Sequence, residues 1–181
     1  MPTYICLLRA INLAGHNRIK MSALEAALEG LGFEQVKTYL QSGNVVFHLA
    51  KSRANLCETL EERIRSAFGL SITVISRTAE ELDTTIQKNP FLKESGIDPA
   101  KLHVTFLASA PAAAVEKLDQ LRAAPDRYRY RGSEVYLYCP EGYGRTKLSN
   151  LAIEKALAVR ATTRNWKTVN QLSQMAAQIG P

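Results

Sequence analysis

Residues 35–49, QVKTYLQSGNVVFHL, predict a β-hairpin. Two runs rich in β-branched and aromatic residues, about Gln35–Gln41 and Asn44–Leu49, flank the dipeptide Ser42-Gly43. A two-residue connection that contains glycine is typical of a tight hairpin turn. We therefore expect two antiparallel strands joined at Ser42-Gly43.

The elements on either side of this hairpin predict a ferredoxin-like plait over residues 1–88. Tyr4–Arg9 is an apolar strand, and the capping box Ser22-x-x-Glu25 predicts the start of the helix that follows it. After the hairpin, a helix at Asn55–Phe68 has apolar residues at four-residue intervals, and Ile72–Ser76 is a further strand. The order βαββαβ is that of ferredoxin-like folds.

The remainder of the chain, 89–181, repeats much of this order. Proline and glycine mark 89–99 as a linker. A strand, a helix with Pro111 in its first turn, a hairpin around Gly132-Ser133 and two closing helices follow, the last two at about Lys147–Val159 and Asn165–Ile179. We expect an α+β protein of two ferredoxin-like (βαββαβ-type) plait halves, the second reading βαββα and followed by an extra C-terminal helix. The shared order predicts an internal duplication with equivalent hairpins.

Composition excludes several classes of protein. Hydrophobic residues make up 46% of the chain, which favours a packed core. No apolar run approaches the ~20 residues of a membrane helix, and the N-terminus lacks the basic region of a signal peptide. Three widely spaced cysteines favour a reducing, cytoplasmic setting. Histidines without ligand spacing and the missing nucleotide fingerprints predict neither a metal nor a cofactor.

Positive charge is concentrated in one segment. The net charge is +6, and residues 126–167 hold 9 Lys/Arg against 4 Asp/Glu. Such an excess favours an anionic ligand or nucleic acid as partner, and a solvated surface with incidental bias explains it equally well.

The loop between the first strand and the first helix is the first candidate site. It leads to a helix N-terminus, whose free N–H groups and positive dipole attract anions. Arg9, Arg18 and Lys20 add positive charge there, and glycine allows a close backbone approach. We predict ligand-binding residues in this loop and in the neighbouring turn, with a structural loop and a structural turn as alternatives: Arg9, Asn12, Gly15, Lys20, Ser42, Gly43 and Asn44. We expect Arg9, Asn12, Lys20 and Asn44 to lie near one another at one end of a sheet.

Basic residues also occur where two C-terminal helices are predicted to start. Cations there oppose the helix dipole by ~0.3–1 kcal/mol, which indicates a function. The predicted ligand-binding residues of this group are Arg145, Lys147, Arg164, Asn165 and Trp166. For Trp166 the alternative is the first core residue of its helix.

The second hairpin predicts a face that mixes arginine with tyrosine. If Gly132-Ser133 is the turn, alternate residues share one side of the sheet. This side holds the residues of a possible nucleic-acid face: Arg127, Arg129, Arg131, Tyr136 and Tyr138. Aromatic and basic side chains together suit stacked bases. A hydrated surface, or arginines paired with carboxylates such as Glu141 and Glu154, is the alternative.

Three stretches resemble motifs of one bacterial family. They are CLLRAIN at 6–12 with Lys20-Met21, YLQSGNVVF at 39–47 and RATTRNWKT at 160–168. The resemblance is to the family catalogued as domain of unknown function 1697. It implies an α+β fold of plait-like halves and no established activity, so no catalytic residues follow from it. Ala10 stands where the family's pattern has glycine.

Three classes of function stay open. The first is non-catalytic binding of a phosphate-bearing ligand, including nucleic acid. The second is a small-molecule enzyme acting on an anionic substrate, although the sequence has no recognisable paired carboxylates or activated nucleophile. The third is a protein-interaction module that uses an open sheet edge. The sequence predicts neither catalytic residues nor an oligomeric state.

Overall fold

The computed structural model describes residues 2–179, which form an α+β protein with two four-stranded antiparallel sheets. The first seven elements are β1 (Thr3–Leu8), α1 (Met21–Glu29), β2 (Glu34–Tyr39), β3 (Asn44–His48), α2 (Leu56–Phe68), β4 (Val74–Thr78) and α3 (Ala79–Gln87). The later elements are β5 (Leu102–Leu107), β6 (Arg127–Arg131), β7 (Glu134–Tyr138), α4 (Asn150–Leu157), β8 (Ala161–Asn165) and α5 (Trp166–Gln178). Four short 3-10 helices lie at Pro90–Lys93, Pro99–Lys101, Val115–Gln120 and Tyr143–Arg145.

The chain divides into two compact units. One contains the residues up to Asp83 together with those from Gln171 onward, and the other is Thr84–Asn170. The closing helix α5 therefore starts in the second unit and ends in the first. In the described part of the chain, no helix is both long and apolar enough to cross a membrane.

The first unit is built on the sheet β2-β3-β1-β4. Alternate side chains of the central strands, such as Cys6 and Phe47, form one buried cluster with Leu24 of α1 and Leu60 of α2. Burying a side chain of this size stabilises a fold by roughly 1.5–3 kcal/mol, so this cluster holds both helices on one face of the sheet.

The second unit is built on the sheet β6-β7-β5-β8. Val135 and Leu137 of β7 pack in one cluster with Ile153 of α4 and with Leu118 of the 3-10 helix Val115–Gln120. This 3-10 helix replaces the α-helix that the sequence predicted after β5. Pro111 precedes it, in a segment where the N–H groups of the next two residues donate to the Leu157 carbonyl.

Two further local predictions are corrected. Helix α1 begins at Met21 with Lys20 as its N-cap, and Glu25 does not close a capping box. Its carboxylate instead accepts hydrogen bonds from the Thr38 backbone N–H and hydroxyl, both at 2.7 Å. Residues 161–165, for which the sequence predicted no strand, form strand β8, and the closing helix begins after it at Trp166.

The two hairpins differ in their turns. Arg131 pairs with Glu134, so Gly132-Ser133 is a two-residue turn as predicted. In the first hairpin Tyr39 pairs with Asn44, which leaves four residues in the turn rather than two.

Candidate functional site

The loop between β1 and α1 is tightly built. Four non-glycine residues in it have positive φ angles: Ala10, Asn12, Ala14 and Asn17, at 56, 52, 46 and 49°. Such angles cost about 1–3 kcal/mol each and persist where the surroundings impose them, often at functional sites.

Asn12 holds this loop in shape. Its Nδ2 donates to the carbonyls of Ile19 (3.1 Å) and Gln41 (2.7 Å), and its Oδ1 accepts from the Ile19 N–H (2.9 Å). The Asn17 side chain adds a bond to the Ala10 carbonyl at 3.0 Å. Asn12 thus ties both ends of the loop to the turn between β2 and β3.

A cleft of about 600 Å³ lies beside this loop. Its lining consists of Asn12, Gly15, Arg18, Ile19, Lys20 and Gln41. We call it the first cleft. Among the described residues its lining contains two cations and no carboxylate. It borders the start of α1, where no side chain caps the helix and no acidic residue occupies the first turn.

The cations of the first cleft are not engaged elsewhere. Arg18 and Lys20 are exposed, and neither side chain has a hydrogen bond or ion pair with another residue in the range 2–179. A Cβ at Gly15 would lie 3.4 Å from Arg18 Nη2, an ordinary van der Waals distance, so the guanidinium lies close to the backbone of Gly15. The sequence predicted Asn12, Gly15 and Lys20 here, and Arg18 was seen only as a contributor of charge.

The turn residues predicted with this loop have structural roles. Asn44 is fully buried and donates to the Tyr39 carbonyl (2.7 Å) and the Ser42 hydroxyl (3.0 Å). Gly43 has φ +78°, and a Cβ there would lie 2.5 Å from Ile11 Cδ1. These residues shape the turn beneath the loop and do not line the first cleft.

Arg9 lies at the same end of the sheet as Asn44. Asn44 pairs with Leu7 of β1, and Arg9 follows two residues later, where its N–H donates to the Thr73 carbonyl at 2.9 Å. Arg9 is half-buried and does not line the first cleft.

A second cleft, of about 610 Å³, lies in the second unit. Its lining consists of Pro99, Ala100, Lys101, His103, Gly142, Tyr143, Asn165, Trp166 and Lys167. Of the predicted residues it includes Asn165 and Trp166. His103 and Tyr143 were missed, because the sequence segments that line this cleft are brought together only by the pairing of β5 with both β7 and β8.

The basic residues predicted with them are placed elsewhere. Arg145 and Lys147 are exposed, near the 3-10 helix Tyr143–Arg145. Arg164 does not start a helix: it is 8% exposed within β8. Its Nη1 donates to the Thr162 hydroxyl (2.7 Å) and the Thr163 carbonyl (3.0 Å), and burial lowers its pKa to about 10.

The arginine–tyrosine face of the second hairpin is partly covered. Arg127 pairs with Glu94 at 2.7 Å, and Arg129 lies 3.8 Å from the same carboxylate. Both guanidinium groups also lie over the Phe91 ring, at 5.2 and 5.4 Å from its centroid. The pairing partner is therefore Glu94, and neither of the two glutamates considered from the sequence.

Tyr136 cannot stack against a base on that face, because its side chain is buried. It is 1% exposed, and its hydroxyl donates to the Thr85 carbonyl at 2.8 Å. Burial raises the pKa of this phenol far above its ordinary value. Its ring has no open side on which a base could stack.

The described residues support neither a metal-binding site nor a nucleophilic cysteine at Cys6 or Cys139. No group of three or more His, Cys, Asp or Glu in the range 2–179 is arranged to hold a metal ion. Burial raises the pKa of the Cys139 thiol to about 11 and that of Cys6 well above its ordinary value. Both are therefore protonated and poorly nucleophilic near neutral pH.

Comparison with known proteins yields one family and one fold. The family model described as "Protein of unknown function (DUF1697)" matches residues 1–136. The solved structure of a conserved bacterial protein from Streptococcus pneumoniae is similar, with a TM-score of 0.77 and 23% sequence identity over 97% of this chain and 98% of that chain. At this identity the similarity concerns the fold alone. No curated protein matches the sequence.

Proposed function

Since this chain belongs to the DUF1697 family, whose description states no function, we propose a function from its own residues: the first cleft binds a phosphate-bearing anion. The observation that carries the proposal is the pairing of two unengaged cations, Arg18 and Lys20, with the uncapped start of α1.

The electrostatics of α1 favour an anion at this position. The start of a helix carries a partial positive charge, and cations beside it are unfavourable by ~0.3–1 kcal/mol unless an anion lies between them. Free N–H groups at the helix start supply donors for phosphate oxygens. An anion in the first cleft would satisfy the helix start, Arg18 and Lys20 together.

The two cations would contribute differently. The planar guanidinium of Arg18 can donate two parallel hydrogen bonds to one phosphate, whereas Lys20 supplies a compact point charge. The hydrogen bonds of Asn12 hold the backbone of the loop in place, so little ordering is needed when the ligand binds.

The composition of the lining favours binding over catalysis. Among the described lining residues there is no carboxylate, cysteine, histidine or hydroxyl that could act as a base or nucleophile. The ligand itself can be a small phosphate compound or nucleic acid, and these differ in the number of phosphates bound at once.

An affinity comparison tests the proposal. We expect the double change Arg18→Ala with Lys20→Ala to weaken binding of inorganic pyrophosphate about tenfold or more, because charge-assisted hydrogen bonds are lost. The matched control is Lys37→Ala with Lys51→Ala, which removes the same charge from exposed positions of the same unit. Equal affinities of the two variants would contradict the proposal.

Salt dependence distinguishes the two kinds of ligand. Binding of single-stranded RNA to the unmodified chain is measured against salt concentration. Each phosphate contact adds about 0.7 to the log–log slope. A slope of several times this value indicates a nucleic-acid ligand, and a slope near one contact indicates a small phosphate compound.

We also infer that the two units are diverged copies of one ferredoxin-like plait. Support comes from the strand orders, β2-β3-β1-β4 and β6-β7-β5-β8, in which each strand has a counterpart in the same position. Superposing the sheets strand by strand in an experimental structure is expected to place Asn44 on Glu134, and a register offset would contradict common descent. The first cleft would then belong to the longer β1–α1 loop of the first copy.

We further propose a cytoplasmic location, on the ground that the three cysteines are free thiols. Cell fractionation with the native gene tests this. Recovery in an oxidising compartment would contradict it.

A further inference from the structure

The second cleft has a lining that the proposed function does not use. From it we propose a separate binding site for a planar aromatic ring that carries an anionic group, of about the size of a mononucleotide. All of its lining residues belong to the unit Thr84–Asn170.

Strand pairing brings the walls of the second cleft together. His103 of β5 pairs directly with Asn165 of β8, so their side chains share one face of the sheet. Trp166 follows at once as the first residue of α5. The segment after β7 returns to this place, where the Tyr143 ring stacks on His103 with centroids 4.7 Å apart and planes at 23°.

The aromatic wall is held in position by hydrogen bonds. The Tyr143 hydroxyl accepts from the Asn150 N–H at 2.8 Å. The Asn150 side chain in turn accepts from the Thr163 hydroxyl at 3.0 Å, and Thr163 contacts the Thr105 hydroxyl at 2.7 Å. A ring fixed in this way can receive a flat ligand without first losing its own freedom.

Ring-bearing residues recognise a flat ligand through their faces and edges. The lining includes the aromatic residues His103, Tyr143 and Trp166, of which Trp166 is only 8% exposed, beside the small residues Ala100 and Gly142. Burial lowers the pKa of His103, so near neutral pH its ring is uncharged. Aromatic walls of this kind accept any planar ring of suitable size, because stacking depends little on the ring's identity.

The charges of the second cleft favour an anionic ligand. Lys101 and Lys167 both line it, and no carboxylate does so among the described residues. Neither ammonium group has a hydrogen bond or ion pair with another residue of the range 2–179. A carboxylate or phosphate attached to the ring would place its charge between them.

The single tryptophan makes this site directly observable. The chain contains one tryptophan, Trp166, and it lines the second cleft. Its fluorescence therefore reports ligand binding there, after correction for light absorbed by the ligand. We expect a saturable change with adenosine monophosphate, and affinities at least about tenfold weaker for adenosine, which lacks the charge, and for ribose 5-phosphate, which lacks the ring.

Two double variants localise the response. Lys101→Ala with Lys167→Ala is expected to weaken binding of adenosine monophosphate about tenfold or more. The matched control, Lys117→Ala with Lys155→Ala, removes the same charge from exposed positions of the same unit and should leave binding unchanged. The variant of the first cleft, Arg18→Ala with Lys20→Ala, should also keep the full fluorescence response, which separates this inference from the proposed function.

Several results would overturn the inference. They are a normally folded chain whose fluorescence adenosine monophosphate does not change, equal binding of ribose 5-phosphate or of adenosine alone, and equal weakening by the control substitutions.

Discussion

At the scale of single residues, the site rests on a few backbone positions that side chains enforce. Asn12 uses its amide to join Ile19 with Gln41, and thereby fixes the loop that presents Arg18 and Lys20. The sequence identified Asn12 as polar and close to a helix start. It did not indicate that the side-chain amide binds within the loop and to the neighbouring turn, because these bonds join Asn12 to Ile19 and to the distant Gln41, and no local pattern predicts such contacts.

Gly43 illustrates a residue whose identity is set by packing. We expect Gly43→Ala to destabilise the fold by ~1–3 kcal/mol beyond the cost of its positive φ, because the new Cβ would overlap Ile11 and Leu8. Gly32 is the matched control: its φ is +80° and nothing lies within 4 Å of a Cβ there. Urea unfolding of the two alanine variants measures the difference, and equal losses of stability would exclude a packing role.

His103 predicts a pH dependence of stability. Its pKa is below the ordinary value of 6.5 because burial disfavours the charged ring. Below about pH 6.5, the unfolded chain therefore binds more protons at this histidine than the folded chain does. The contribution of His103 to the free energy of unfolding is thus complete above about pH 6.5 and falls as the pH decreases. In thermal unfolding, His103→Gln should reduce the loss of stability on acidification. An identical pH profile for both proteins would be evidence against this.

At the scale of elements, both hairpins were predicted, although the turn of the first has four residues rather than two, and the closing strand was not predicted. The hairpins have alternating patterns and glycine turns, which are local signals. Strand β8 is polar in sequence, with Thr162, Thr163 and Arg164 in a row, and its stability comes from distant pairing with β5. The lining of the second cleft was not predicted for the same reason, since no local sequence pattern indicates which segments a sheet brings together.

The arginine-rich strand β6 gives the prediction at this scale. Arg127 and Arg129 already contact Glu94 and Phe91. The Glu94 carboxylate partly neutralises them, whereas Arg18 and Lys20 have no carboxylate beside them among the described lining residues of the first cleft. We expect the triple change of Arg127, Arg129 and Arg131 to alanine to leave pyrophosphate affinity within about twofold, as electrostatic screening allows. Filter-binding or calorimetric titration measures it. A loss as large as that of Arg18→Ala with Lys20→Ala would instead place the ligand on this strand.

At the scale of the whole molecule, two units of similar strand order contain two different candidate sites, the first cleft and the second cleft. The α+β class was predictable because most helices and strands are indicated by local periodicity and by glycine and proline at their ends. The assignment of residues from Gln171 onward to the first unit was not, because it depends on tertiary contacts of a helix that looks continuous in sequence.

We propose that the start of α1 and its two cations hold a phosphate group. Backbone amide NMR during titration with inorganic pyrophosphate tests this proposal. We expect the largest chemical-shift changes at residues 12–22, including Arg18, Lys20 and the first residues of α1. Amides of 12–22 that do not move at saturating pyrophosphate, whatever happens elsewhere in the chain, would contradict it.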